Sequence, residues 1–297
     1  MFSRLLLKRT FSTAKANIPI IDLTNYLNNK GSFSDCKAVA DAFEQTSCLL
    51  IKDPRVNQSN IDEFIDLMEE YFESRGQKYY NNQYDLRDFY PEYNFQTGAC
   101  PDMLLIMKDH SDVIQTYTAD NKPGTAYPPK PDAKWRFLWR VGERVDNSKH
   151  YSVDPPVHIP EDFPQWKPVM DNVGNLLLNG VYTVSEMLAL GLGLEKNLFR
   201  GMLEGGPQVL APNGSDLSRY EVGTPLSGFH YGRIFYIIYD IIIDLNFLTI
   251  HGRNRYPGLF IWLKNGEKKR VSIPEGHLLL QVYCIIMSIM MKRSGNN

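Results

Sequence analysis

The chain has 297 residues, enough for one large domain with a sizeable core, and its composition, 43% hydrophobic and 22% charged, is that of a globular protein. A formal charge of −2 gives no global electrostatic case for nucleic acid or an anionic membrane surface, and no apolar run reaches the roughly 18 residues that suggest a membrane span. Four scattered cysteines, Cys36, Cys48, Cys100 and Cys284, lack C-x-x-C spacing, which argues against a disulfide scaffold or a thiolate zinc site; reduced packing residues are expected.

Residues 1–16 carry Arg4, Lys8, Arg9 and Lys15, four hydroxyl residues and no acid. That is the composition of an organellar transit peptide, so a mitochondrial matrix address is expected; the alternative is a basic tail on a cytosolic protein. Removing those four cations would take the formal charge from −2 to −6.

Residues 18–23 form a short apolar run in which Pro19 requires an edge or a strand start. Cys36, Val39, Ala42 and Phe43 share one face of a predicted helix over 34–46, and Leu49, Leu50 and Ile51 read as a strand. Asn60 with Glu63 resembles a capping box for a helix over about 60–74, with Ile61, Phe64, Leu67, Met68 and Tyr71 at helical spacing. Residues 77–131 are rich in Tyr, Asn, Asp and Pro and read as irregular, apart from a helical patch near 103–107. Residues 135–141 alternate bulky and basic side chains, as a strand with one core face and one solvated face does; such a strand can also meet nucleic acid or an acidic substrate. Pro155, Pro156, Pro160 and Pro164 mark a loop, and Pro168 suits the first turn of a long helix to about Leu190, with Val169, Val173, Leu176, Leu177, Val181, Val184 and Leu188 inward.

Gly191-Leu192-Gly193 follows a helix and lacks a third glycine, so it is no dinucleotide fingerprint; P-loop, G-x-S-x-G and H-E-x-x-H motifs do not occur. Beyond Pro207 short strands are predicted at 208–211, 226–231, 245–250, 259–263, 269–273 and 277–282, with Asn265-Gly266 as a hairpin turn. Helices followed by short antiparallel strands predict an α+β protein whose C-terminal part is a sandwich or jelly roll.

His230 and Asp244 flank a twelve-residue run, 232–243, of which nine residues are Ile, Phe or Tyr. Without that run they form a His-x-Asp pair, whose members point to one face of a strand. Such a pair is either a hydrogen-bonded structural couple or two arms of a 2-His-1-carboxylate site for non-haem Fe(II). Continued as strand, the run would separate them by about 40 Å at ~3.3 Å per residue, so joint ligation requires a closed excursion. Its composition suits a packed surface rather than a solvated loop. The codons for Gly232 and Asp244 also permit a GT…AG intron whose removal restores His-x-Asp.

These motifs resemble the isopenicillin N synthase-like oxygenases within the Fe(II)- and 2-oxoglutarate-dependent dioxygenases. The similarity runs from the opening Ile18-Pro19-Ile20-Ile21-Asp22-Leu23, through Gly228-Phe229-His230-Tyr231 joined to the stretch from Asp244 to Gly252, to Pro257 and Gly258, the hairpin and residues 273–281. The resemblance implies one oxygenase domain over 17–281: a helical flank over 17–206 and a distorted double-stranded β-helix, or jelly roll, over 207–281. His230 and Asp244 would be the metal ligands, Fe(II) the cofactor, 2-oxoglutarate the co-substrate, and O2 with a small organic molecule the partners. The family's second ligand histidine and its Arg-x-Ser for the co-substrate have no counterpart here; His277 belongs to the preceding strand and His251 to a non-ligand position. Residues 282–297 depart from the family, leaving the jelly roll incomplete at that end. The chain as written is therefore expected to be impaired. The alternatives are a catalytically inactive jelly-roll binding protein and, less favoured because Gln281 interrupts a run shorter than a span, a membrane-associated tail.

Overall fold

In the computed structural model the described residues are 18–83, 86–104, 111–124, 130–143, 156–229, 248–252, 258–263 and 265–282. Residues 1–17, 230–247 and 283–297, which include the predicted transit peptide, His230, Asp244, the 232–243 run and Cys284, lie outside them.

Strand β1 (Ile20–Asp22) starts one residue after Pro19, as a ring that removes a ladder donor requires, and forms the edge of its sheet. It pairs parallel with β2 (Cys48–Lys52), and the crossover this demands is supplied by a single turn, α1 (Thr24–Leu27), and by α2 (Phe33–Thr46). Ser32 opens α2 with a reciprocal capping box: its hydroxyl accepts from the Asp35 amide while the Asp35 carboxylate accepts from the Ser32 amide at 2.7 Å. α3 spans Gln58–Tyr80, longer than the periodicity indicates and capped elsewhere. Asn57 rather than Asn60 is the cap, its side-chain oxygen accepting from the Ser59 amide at 3.0 Å. The last turns continue because Tyr79 and Tyr80 pack edge-on against Trp135, a contact that no local pattern encodes.

Between residues 86 and 143 lie β3 (Gly98–Cys100), one turn of helix α4 (Ser111–Ile114) and β4 (Trp135–Arg140). β4 alternates as expected: Trp135, Phe137 and Trp139 are buried and Arg136, Leu138 and Arg140 are half-buried. The predicted helical patch at 103–107 falls mostly outside the described residues, and Met103 and Leu104 are not helical. α5 (Trp166–Gly191) carries Pro168 in its first turn, and α6 (Leu198–Leu203) follows.

Then come β5 (Val209–Leu210) and β6 (Asn213–Gly214), both antiparallel to β4 and separated by Pro212, which cannot donate to the ladder but accepts from the Phe137 amide. β7 (Leu248–His251), β8 (Phe260–Trp262), β9 (Lys268–Arg270) and β10 (His277–Val282) complete the set. β8 and β9 form the predicted hairpin, with Gly266 at φ +81 in its turn, where a residue without Cβ adopts the left-handed region at little cost.

The strands make a sheet ordered β1-β2-β10-β7, a sheet built on β3-β4-β5 with β6, and the β8-β9 hairpin. The pairing crosses the sequence boundary at residue 206: N-terminal β2 lies directly beside C-terminal β10, Leu279 opposite Leu50. This is an α+β arrangement in which the helical flank contributes strands to the sheet.

Alternation divides the first sheet cleanly. Leu49, Ile51, Leu278 and Leu280 face α2 and α5 and form the main core with Phe43, Val184, Met187 and Leu188. Each such fully buried aliphatic side chain contributes about 1.5–3 kcal/mol. The opposite face, with Cys48, Leu50 and Leu279, packs against Ile18, Ile261 and Val271 under the hairpin. A third cluster joins α3 and α5 to β4 through Tyr71, Phe137, Trp139, Trp166 and Met170. Cys36, Cys48 and Cys100 are buried free thiols, in line with the packing role expected.

Candidate functional site

The segment that leads into His230 is held by the residues just before β4 rather than by a ladder. The sequence pattern predicts a strand over 226–231, yet residues 226–229 make none. Instead the Gly228 amide donates to Asp132 Oδ1 at 2.8 Å, and Lys134 Nζ donates to Ser227 Oγ at 2.7 Å while lying 3.2 Å from the Asp132 carboxylate. Asp132 and Lys134 are both nearly buried, so each depends on the other for charge compensation. Burial pushes the Lys134 ammonium below its usual value, with Arg136 adding to that and Asp132 opposing it.

One residue on, Phe229 packs edge-on to Trp262 of β8, with ring centroids 4.9 Å apart, and Tyr117 closes the group at 6.0 Å from Phe229 and 6.3 Å from Trp262. Asn121 fixes this corner: its carbonyl accepts from Trp262 Nε1 at 2.6 Å and its side-chain oxygen from the Lys268 amide at 2.9 Å. The loop over 111–124, which the sequence left irregular, therefore clamps the hairpin beside residue 229.

Beneath Trp135, Asp102 accepts from the hydroxyls of both Tyr80 and Tyr220 and is almost fully buried. Burial, followed by the bond to Asp102, pushes the Tyr80 phenol up to about 12. Arg219 covers the Tyr80 ring at 3.3 Å. Asp102 thus ties the 217–220 turn to α3 and β4.

The face of β10 and β7 turned toward the hairpin is polar at its far end. Thr249 and His251 stand on that face with Gln281, since Leu279 is opposite His251 and Gln281 opposite Thr249. His251 Nε2 lies 3.0 Å from Gln281 Oε1. His277 begins β10, the strand in which the sequence placed it, and its Nδ1 lies 2.9 Å from the Glu275 carbonyl. On the helical side Asp88 receives Arg75, Tyr71 and His158, the last at 2.6 Å, and His158 Nδ1 lies 2.8 Å from the Tyr90 hydroxyl. That network fastens the loop around residue 158 to α3.

Among the described residues no three His, Cys, Asp or Glu side chains converge so as to hold a metal ion, and no helix is long and apolar enough to cross a membrane. His230 and Asp244, the two ligands named by the sequence pattern, lie outside those residues. The described side chains therefore supply no complete three-donor site of their own.

No protein-family model matches the chain, and no curated protein is similar to it in sequence. Solved structures are. A protein from Caulobacter crescentus provisionally assigned to the 2OG-Fe(II) oxygenase family superimposes with a TM-score of 0.61 at 17% identity, covering 90% of this chain and 74% of that one. The full-length thymine hydroxylase of Neurospora crassa, solved in complex with alpha-KG, gives 0.61 at 16% identity over 91% of this chain and 74% of its own. A provisionally assigned oxygenase from Shewanella oneidensis gives 0.51 at 13% identity over 93% and 79%. The chain has the fold of the 2OG-Fe(II) oxygenases. At these identities the likeness is one of fold.

Proposed function

We propose that this chain is a non-haem Fe(II)-dependent oxygenase of the isopenicillin N synthase-like group, using 2-oxoglutarate and O2 to oxidise a small organic molecule. The observation that carries the reading is the combination of the oxygenase fold over nine-tenths of the chain with the His230 and Asp244 pattern in its sequence. The C-terminal strands are read as a distorted jelly roll. The Neurospora crassa thymine hydroxylase has been solved with alpha-KG and thymine, which supports a small-molecule substrate and this co-substrate. Bound iron would supply the oxygen chemistry, while Asp132 and Lys134, just before β4, would fix the segment entering residue 230.

The polypeptide as written is read as impaired: it offers His230 and Asp244, separated by the 232–243 run, and no second histidine in the family's position. Two protein donors in place of three give weak iron retention. The test is to load the purified chain anaerobically with Fe(II), desalt it, and measure bound iron and the conversion of 2-oxoglutarate to succinate. Substoichiometric iron and no conversion are expected; stoichiometric iron with sustained conversion would overturn the impairment. A catalytically inactive binding protein is the second reading, supported by the absence from the sequence of the family's second histidine and Arg-x-Ser. Small-molecule binding that is indifferent to iron would select it. The basic, acid-free residues 1–16 support a mitochondrial matrix location, which a cytosolic distribution of the full-length chain fused at its C-terminus to a fluorescent protein would refute.

A further inference from the structure

A cavity of about 430 Å³ opens on the helical flank, within the size range of small-molecule sites. Its floor is one face of α5, where Thr183, Glu186 and Leu190 recur at the spacing that stacks side chains along a helix. Tyr26 and Leu27 of α1, with Asn29 just after it, form one wall. Arg55 from the loop after β2, Lys196 before α6 and Arg200 within α6 close the other sides. The lining therefore carries three cations and one carboxylate.

How those charges are engaged decides what the cavity can accept. Glu186 is 7% exposed and well supplied: Oε1 accepts from Arg200 Nη1 at 2.6 Å, and Oε2 accepts from the Tyr26 hydroxyl at 3.1 Å and lies 3.3 Å from Lys196 Nζ. Arg200 also gives its Nε to Glu204 at 2.6 Å, so both of its sides are held. Arg55 gives Nε and Nη2 to Asp53, whose side chain is buried and lies outside the lining, and Nη2 also to Thr183 Oγ1 at 3.1 Å. Among the described residues nothing accepts from Arg55 Nη1, and the Asn29 side-chain amide meets no partner. Lys196 Nζ, with three N–H donors, has one carboxylate contact and stands 5.6 Å from the centre of the Tyr26 ring. Three donors thus remain for a ligand.

Arg55 is anchored at Thr183 and Lys196 at Glu186, three residues apart on one helix, a rise of about 4.5 Å at ~1.5 Å per residue. An anion seated over that interval meets both. A planar carboxylate has two oxygens to offer, whereas a phosphate monoester has three, one for each of Arg55 Nη1, Lys196 Nζ and the Asn29 amide. Tyr26, Leu27 and Leu190 leave an apolar wall for an organic body. We propose that this cavity is a binding site for a small phosphate monoester, held by Arg55, Lys196 and Asn29 over the Thr183–Glu186 turn of α5. The site is independent of the oxygenase reading, since none of its residues belongs to the His230 and Asp244 pattern. Lys196 and Asn29 are exposed, so water and salt screen the attraction and millimolar binding follows.

The experiment is calorimetric titration of the full metal-free chain, at low ionic strength, with glycerol 3-phosphate, inorganic phosphate and succinate. Glycerol 3-phosphate is expected to bind saturably, inorganic phosphate several-fold more weakly for want of an organic body, and succinate about tenfold more weakly. Lys196→Gln and Asn29→Asp are compared with the parent. Each should weaken the binding of glycerol 3-phosphate about tenfold, the first by removing a charged donor and the second by setting a like charge beside the phosphate. Both variants should keep the parent's melting temperature, because both positions are exposed. No saturable binding of glycerol 3-phosphate, binding of inorganic phosphate or succinate as tight as that of the ester, or unchanged affinity in both variants would each overturn the site. Because the titration contains no metal, its failure is distinct from a failure of iron-dependent turnover.

Discussion

Arg75 shows how much of the helical flank depends on a single charge. Its side chain is 3% exposed, as is that of Asp88, which it contacts through Nε, while its two terminal nitrogens grip Asp162 at 2.9 and 2.5 Å. Burial would raise the Asp88 carboxyl, but His158 and Arg75 outweigh it and hold the group below its ordinary range. Asp162, gripped by Arg75, is held at about 2. Arg75→Met keeps the length of the side chain and removes the charge, leaving Asp88 buried with only Tyr71 and His158. A loss of about 3–5 kcal/mol is expected, the cost of one uncompensated buried charge, and urea unfolding measures it. A loss below about 1 kcal/mol would mean that the tyrosine and histidine suffice. Nothing in the sequence announces this pair: Arg75 reads as one more exposed cation on a helix, and its burial follows from the loop around Asp162 folding back across α3.

At the level of elements, strong periodicity was legible and short or cross-braced structure was not. α2, α5, β2 and the β4 alternation follow from patterns that physics requires of any buried face. β6 is two residues long, too short for a pattern, and 226–229 look like a strand but hang from Asp132 and Lys134. The junction of α2 and α5 carries its own prediction. Gly191 ends α5 where a Cβ would collide with the carbonyl of Cys36 in α2. The sequence presents that glycine as part of a failed dinucleotide motif, whereas its role is close approach of two helices. Gly191→Ala should cost about 1–3 kcal/mol by forcing the helices apart, read as a lowered melting temperature. An unchanged transition would show that the junction is loose.

For the molecule as a whole, the resemblance carried by a few motifs anticipated the fold that the solved structures share. The candidate site was legible only in part. His230 and Asp244 are named by spacing alone and lie outside the described residues, while the polar row of Thr249, His251 and Gln281 exists only through the register of β7 on β10, with His251 and Gln281 30 residues apart in sequence. Long-range register is invisible to local reading. It also has a consequence during synthesis. β2 is complete once Lys52 has been made, yet its partner β10 starts at His277. At ~5–20 residues per second the ribosome needs roughly 10 to 45 seconds to cover that interval. Throughout it β2 has β1 on one side and an open row of amides and carbonyls on the other. The nascent chain thus offers an unpaired edge to any passing strand, and this protein is one whose yield in cells should depend on how well that edge is chaperoned before the last strand arrives.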